Sequence, residues 1–229
     1  MIAALFDLHG NLPALDATLD DARAAGAERF LLGGDYAAFG AWPLETVGRL
    51  EALGDAATWI RGNWERWQAE PDGAPQTEVV QGAGAFAVAA LGAARVERLA
   101  ALPQTLATAG LRISHASPLG DMEAFAPAAG DDERVLAGAG ERLQLGGHVH
   151  VQYARDGAGG IRIVNPGSVG LPWDGDRRAA YALIGPDLAV TLRRVAYDDE
   201  RSAAALDAIG EPWSELTARR LRQARFDAL

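Results

Sequence analysis

Ile2-Ala3-Ala4-Leu5-Phe6-Asp7-Leu8-His9-Gly10-Asn11-Leu12-Pro13 runs from an apolar segment through two side chains suited to metal, Asp7 and His9, to Asn11 just ahead of a proline. Residues 2 to 7 read as a buried strand. Asn11 is a good helix N-cap, because its short side chain can accept from an unpaired amide of the first turn. Leu12, Leu15 and Leu19 then fall on one face of the following helix. The stretch is strand, loop, helix, with both metal-type side chains on the loop.

Working outward, the same grammar recurs. Phe30-Leu31-Leu32 leads into Gly33-Gly34-Asp35, a helix is expected from about Pro43 to Leu53, and Thr58-Trp59-Ile60 leads into Gly62-Asn63-Trp64-Glu65. Three times a ligand-type residue stands where a strand ends. In open α/β sheets the loops beyond the carboxyl ends of the strands converge on one crevice, so residues far apart in sequence meet there.

The second half changes character. An alanine-rich helix is expected near residues 84 to 101, followed by strands at 111–114, 143–145, 151–153 and 161–164, with Asp156-Gly157-Ala158-Gly159-Gly160 as a hairpin turn. Residues 180–184 and 188–192 flank Gly185-Pro186-Asp187 and should form another hairpin. From about 199 to 226 two helices are expected, the second with Trp213, Leu216, Leu221 and Phe226 as candidate buried positions. Helices at both ends and two sets of strands between them indicate a layered α/β sandwich. No linker divides the 229 residues, so 1–229 reads as one domain.

Composition removes several chemistries. Cysteine is absent, which excludes disulfides, thiolate ligands and a cysteine nucleophile. The chain also lacks lysine: all 21 basic residues other than histidine are arginine, so Schiff-base and P-loop chemistry are excluded. A net charge of -10 makes stable binding to a nucleic-acid backbone a poor expectation. The amino terminus shows no basic leader or cleavage site, and no apolar stretch approaches the roughly 20 residues that cross a bilayer. A soluble, cytoplasmic protein with no membrane partner is expected, and a homo-oligomer is compatible with the sequence.

All four histidines lie in three short blocks: Asp7-Leu8-His9-Gly10-Asn11, Ser114-His115-Ala116-Ser117 and Gly147-His148-Val149-His150. Each block alone has an ordinary reading. His9 could start a helix, Gly33-Gly34-Asp35 is common turn chemistry, and His148-Val149-His150 alternates like a half-buried strand edge. Their joint order at strand ends, with no other histidine in the chain, favours metal. Two divalent ions about 3.5 to 4 Å apart need a shared carboxylate and several terminal ligands. Asp7, His9, Asp35, Asn63, His115, His148 and His150 supply that set, with Asp35 placed to bridge. Imidazole and carboxylate donors suit transition metals better than calcium. Manganese is the first expectation, with iron, zinc, cobalt and nickel as alternatives.

Asp7-x-His9-Gly10-Asn11, Gly34-Asp35, Gly62-Asn63, His115 and Gly147-His148-x-His150, in this order, closely resemble the signature blocks of the calcineurin-like metallophosphoesterase superfamily. The likeness is greatest to its small, cap-free prokaryotic phosphodiesterase branch, and extends to Phe39-Gly40-Ala41-Trp42-Pro43, Asn165-Pro166-Gly167-Ser168-Val169-Gly170 and Tyr197-Asp198. The resemblance implies a four-layer α/β/β/α sandwich with metals at the sheet edges. It also implies one metal on Asp7, His9, Asp35 and His150, and another on Asp35, Asn63, His115 and His148. Asp35, Asn63 and Asn11 are the candidate catalytic residues, and the implied activity is attack of a metal-bridging hydroxide on a small phosphodiester. The competing readings are a phosphomonoesterase, a dinucleoside-polyphosphate hydrolase and a non-catalytic scaffold of the same fold.

One position departs from the pattern. The third block often reads Gly-Asn-His followed by an acid, and here the histidine is Trp64, with Glu65 retained. The small branch varies at this position. An indole N–H donates a hydrogen bond but supplies no proton at neutral pH, which puts general acid catalysis in doubt. Trp42, Trp64 and Trp173 adjoin matched blocks, where they can pack or stack on an aromatic substituent. Arg61, Arg66 and Arg178 are candidate phosphate contacts. Asn11 and Asn165 are stronger candidates for touching substrate, their ordinary alternative being turn and helix capping.

Overall fold

The computed structural model describes residues 1–108, 110–130 and 141–227. Two five-stranded sheets face each other, and seven α-helices are present among the described residues. In the first sheet β1 (Ile2–Leu5), β2 (Arg29–Leu32) and β3 (Ala57–Trp59) run parallel, and the hairpin of β9 (Ala179–Ile184) and β10 (Val190–Val195) adds antiparallel beside β1. The second sheet has β5 (Leu111–Ser114), β6 (Leu143–Leu145) and β8 (Arg162–Asn165) parallel at its centre, edged by antiparallel β4 (Thr105–Thr108) and β7 (Tyr153–Asp156).

The period-two rule assigns the layers. Ile2, Ala4 and Phe6 alternate with Ala3 and Leu5: the first set meets Leu111, Ile113, Leu143, Leu145 and Val164 of the opposite sheet, and the second packs under helices. All seven described helices contribute to that helical layer: α1 (Leu12–Ala24), α2 (Pro43–Glu51), α3 (Asn63–Ala69), α4 (Glu78–Leu91), α5 (Ala93–Ala100), α6 (Asp199–Ile209) and α7 (Pro212–Gln223). On the outer face of the second sheet Phe125 covers Ile163, in a connection of which residues 131–140 lie outside the described set. The architecture is the expected sandwich.

Several local expectations are corrected. The alanine-rich segment is two helices, α4 and α5, bent by 111°. Thr77 caps the first by accepting from Val80 N, and Gly92, at φ 75°, breaks the second away in a conformation that favours glycine. The strand expected at 151–153 is displaced to Tyr153–Asp156, because Gln152 leaves the ladder and its amide donates to the carbonyls of Pro166, Tyr181 and Arg193. Asn63, expected where a strand ends, is also the first residue of a helix. Phe226, expected in the core, is 58% exposed. Among the described residues no single helix is long and apolar enough to cross a membrane.

Candidate metal centre

Asp7 and His9 leave β1 on a loop that runs alongside the one after β2: Asp7 N, His9 N and Gly10 N donate to Gly34 O, Asp35 O and Tyr36 O at 3.2, 2.9 and 2.9 Å. The third loop, after β3, is fastened to the second by Glu65. Its buried carboxylate accepts from Asp35 N, Tyr36 N and Gly62 N at 2.9, 2.9 and 2.7 Å. This close approach requires glycine at 62, where a Cβ would lie 2.2 Å from Asp35 Oδ1. From the second sheet, His115 follows β5. The His148 loop is tied down by Asn165 Nδ2 donating to Gly147 O at 2.9 Å, and by His148 N donating to Asp7 Oδ2 at 3.0 Å.

The backbone is strained where these side chains sit. Of eight non-glycine residues with positive φ among the described residues, five are Asp7, His9, Asp35, His148 and His150. Each such conformation costs on the order of 1–3 kcal/mol and persists only where the surroundings impose it, so the strain is concentrated at the candidate ligands.

The side chains converge in two sets, Asp7 with His9 and His150, and Asp35 with His115 and His148, the donor atoms of each set lying within 4.8 Å of one another. His9 Nε2 is 3.1 Å from His150 Nε2, and Asn63 Oδ1 is 3.0 Å from His115 Nε2. Asp35 Oδ2 faces both sets, 3.9 Å from His9 Nε2 and 3.3 Å from His115 Nε2. Its other oxygen accepts from Trp64 N at 3.0 Å, which fixes the carboxylate's orientation.

Two observations test whether this set fits metal. The Nδ1 atoms of His9, His115 and His150 contact the carbonyls of Ala38, Gly33 and Leu171. A carbonyl can only accept, so each Nδ1 carries the proton and the Nε2 pointing inward is left as a lone-pair donor when the ring is neutral. Asp7 Oδ1 is buried with no hydrogen-bond donor, although it lies 3.5 Å from His150 Nε2 and 3.8 Å from His115 Nε2. A buried carboxylate oxygen left without a partner is costly, and a cation between it and those nitrogens would satisfy it. The two groups fit a divalent dinuclear site.

Without ions, protons settle unevenly over this cluster. Burial pushes the Asp7 carboxyl up to about 8, overcoming the opposing pull of His115. For His115 burial works downward, but the Asp35 charge and hydrogen bond, with Asp7, outweigh it and push the imidazole up to about 10. Asp35 goes below the usual carboxylate range despite burial, because His115 and His9 sit against it. His9 and His150 are held down, chiefly by burial, and burial with the nearby His115 lowers His148 to about 4. His115 thus carries the proton that balances Asp35, a place a metal ion can take.

Beside the ligands opens a cleft of about 580 Å³, lined by His9, Asp35, Asn63, His148 and His150 and walled by Phe39, Trp64, Trp67, Trp173 and Phe226. The Trp64 ring meets Phe39 and Trp67 edge to face at 5.0 and 5.3 Å, so it both packs and faces the cleft.

Other expected contacts lie elsewhere. Asn11 is spent on the fold: its Oδ1 caps α1 through Ala14 N and accepts from Ser202 Oγ, while its Nδ2 donates to Gly170 O and Tyr197 OH. Asn165 is likewise committed, to Gly147 O and Gly167 N. These bonds correct the expectation that both asparagines present free donors to a substrate. Arg61 and Arg66 both pair with Asp121, and Arg178 with Asp176. Trp42 lies under the Arg201 guanidinium, away from the cleft wall. Glu65 clamps backbone amides and is no companion to a leaving group. Its position three residues after Gly62 is the acidic half of a capping box, a signal available once Asn63 is read as a helix start. Nothing in the sequence pattern singled out Leu216, Arg220 or Phe226 as cleft residues.

Comparison with known proteins agrees with this geometry. Residues 1–187 match the model of the calcineurin-like phosphoesterase superfamily domain. The structure is similar to a metallophosphoesterase from Sphaerobacter thermophilus, with a TM-score of 0.82, 27% identity, and coverage of 97% of this chain and 99% of that one. A hypothetical protein from Pyrococcus horikoshii shares the fold, with a TM-score of 0.84, 20% identity, and coverage of 96% and 98%. An uncharacterized protein of Methanocaldococcus jannaschii is 26% identical over 88% of this chain and 90% of its own length. With the matched residues carrying all seven candidate ligands, the chain belongs to the calcineurin-like phosphoesterase superfamily.

Proposed function

We propose that this protein is a dinuclear metal-dependent phosphodiesterase acting on small substrates, with manganese the first choice of metal. The observation that carries the diester reading is the character of the cleft. Its walls are aromatic and aliphatic, and among the described residues Arg220 is the one arginine that lines it. Arg61 and Arg66, the arginines suited by sequence to the second charge of a monoester dianion, are tied to Asp121. A diester carries one negative charge and two organic groups, and such a wall suits the groups.

When bound, the ions supply Lewis acidity toward the phosphoryl oxygens and lower the pKa of water. The chain's own residues hold the geometry. Trp64 N orients Asp35, backbone carbonyls fix three imidazoles with Nε2 inward, and the Phe39, Trp64 and Trp67 rings keep water from one side of the cleft. Trp64 offers no titratable group, so a departing oxygen would receive no proton from this position.

The test is turnover by protein reconstituted with manganese, iron, zinc, cobalt or nickel, on bis(p-nitrophenyl) phosphate, p-nitrophenyl phosphate, cyclic nucleotides and dinucleoside polyphosphates. Faster hydrolysis of the diesters at equal metal loading is expected. Preference for the monoester would overturn the diester reading, and inactivity on every substrate with two metals bound would leave a binding scaffold.

A further inference from the structure

One wall of the cleft is built by residues outside the candidate ligand set, most of them beyond the matched family segment. Trp173 stacks on the ligand-type His150, centroids 3.7 Å apart and planes inclined by 13°. Phe226 meets Trp173 at 4.7 Å and 61°, and the Arg220 guanidinium lies 4.2 Å over the Phe226 ring. Leu216, Arg220 and Phe226 all fall beyond residue 187, where the family match ends.

This wall is anchored. Ala224, at φ 49°, turns the chain back at the end of α7, Gly175 N donates to Ala224 O at 3.0 Å, and Arg220 Nε donates to Phe226 O at 2.8 Å. With one ring face under the guanidinium, Phe226 is still 58% exposed, and Met122 across the cleft is 47% exposed. Among the described residues the polar partner of Arg220 is the Phe226 carbonyl and no carboxylate pairs with it, and burial depresses its pKa. An exposed ring beside a half-buried cation that has no carboxylate partner among the described residues, continuous with a candidate phosphate-handling site, suits a planar aromatic group attached to an anion.

We propose that Trp173, Phe226 and Arg220 form a specificity subsite for the organic substituent of the substrate, and that this substituent is a planar heteroaromatic group of the nucleoside type. The subsite rests on the reading of the metal centre as a phosphoester site, and it names the class of ester taken. The open face of Phe226 stacks on the ring, and Arg220 offers its remaining N–H groups to the anionic linkage.

The experiment uses metal-loaded protein and two ligands that cannot turn over: an adenosine phosphonate, in which carbon replaces the bridging ester oxygen, and methylphosphonate, which lacks the ring. Calorimetric titration of both gives an affinity ratio in which the phosphonate's own contacts cancel. The expected ratio favours the adenosine ligand by on the order of tenfold or more, as for one stacked base. It should collapse in Phe226→Ala and be retained in Phe226→Tyr. Equal affinities in the parent protein, or a preference unmoved by Phe226→Ala, would overturn the subsite. So would hexylphosphonate binding as tightly as the adenosine ligand, since the wall would then be reading apolar bulk. Hydrolysis of bis(p-nitrophenyl) phosphate by the same preparations reports the diesterase reading separately. No turnover with the affinity ratio intact would sink that reading alone.

Discussion

Trp64 leaves the candidate ligands in place while removing the imidazole that this position often carries. Its backbone amide orients Asp35 while its ring is clamped between Phe39 and Trp67, so the ligands keep their places without an imidazole at this position. General acid assistance is typically worth 10²- to 10⁴-fold, or about 3 to 5 kcal/mol of barrier. Activated aryl diesters should therefore be cleaved much faster than alkyl ones, with a steep dependence on leaving-group pKa that Trp64→His flattens. A series of diesters of graded leaving group, assayed on both proteins at equal metal loading, checks this, and parallel slopes would remove Trp64 from the leaving-group side. Asn11 illustrates the opposite outcome. Asn11→Ala deletes a helix cap and three further hydrogen bonds. We expect a loss of stability of about 1–3 kcal/mol in urea unfolding, with KM nearly unchanged; a raised KM at full stability would restore its substrate role.

At the scale of elements, one carboxylate fastens the second and third loops of the site to each other. Glu65, on the first turn of α3, accepts three backbone amides from two loops. Glu65→Ala leaves these buried donors without an acceptor at roughly 1–3 kcal/mol each, so a loss of several kcal/mol is expected, with weakened binding of the metal that Asp35 contacts. Metal titration followed by chemical unfolding checks both effects. Elements also divide what was legible in the chain from what was not. Strand-end ligands and both hairpins could be read because apolar runs and turn residues are local signals. The break at Gly92, the displacement of β7 and the placement of Phe226 could not, because each depends on contacts made far away in sequence. Gln152 leaves its strand to bond three carbonyls, of Pro166, Tyr181 and Arg193, and no local pattern encodes them. The asparagines misled for the same reason: a motif names the residue, while its partners decide whether the side chain is free.

For the whole molecule, the pH dependence of the metal-free form above neutrality follows from the raised pKa values of Asp7 and His115, with Glu65, pushed up to about 7 by burial, acting in the same direction at the lower edge. Asp7 moves from 3.8 up to about 8 and His115 from 6.5 up to about 10, each above its unfolded value. Both contributions to stability are complete below the unfolded values and are lost as pH rises through the folded ones. The depressed His9, His148 and His150 act only below about pH 6.5, so the informative window is about pH 7 to 9. There the Tm of chelated protein should fall with rising pH while that of metal-loaded protein does not, since metal binding requires the same protons to leave. A chelated Tm that rose across this window would contradict the assignment. The candidate ligands also come from both sheets, with His9 and His150 separated by 141 residues yet 3.1 Å apart. Ions held there would suture the two halves of the chain, closing a loop whose entropy the unfolded protein otherwise keeps. Amide hydrogen exchange should then show β1 and β8 opening as one cooperative unit in the loaded protein and at separate rates after chelation, so that the cofactor sets how many pieces the protein comes apart in.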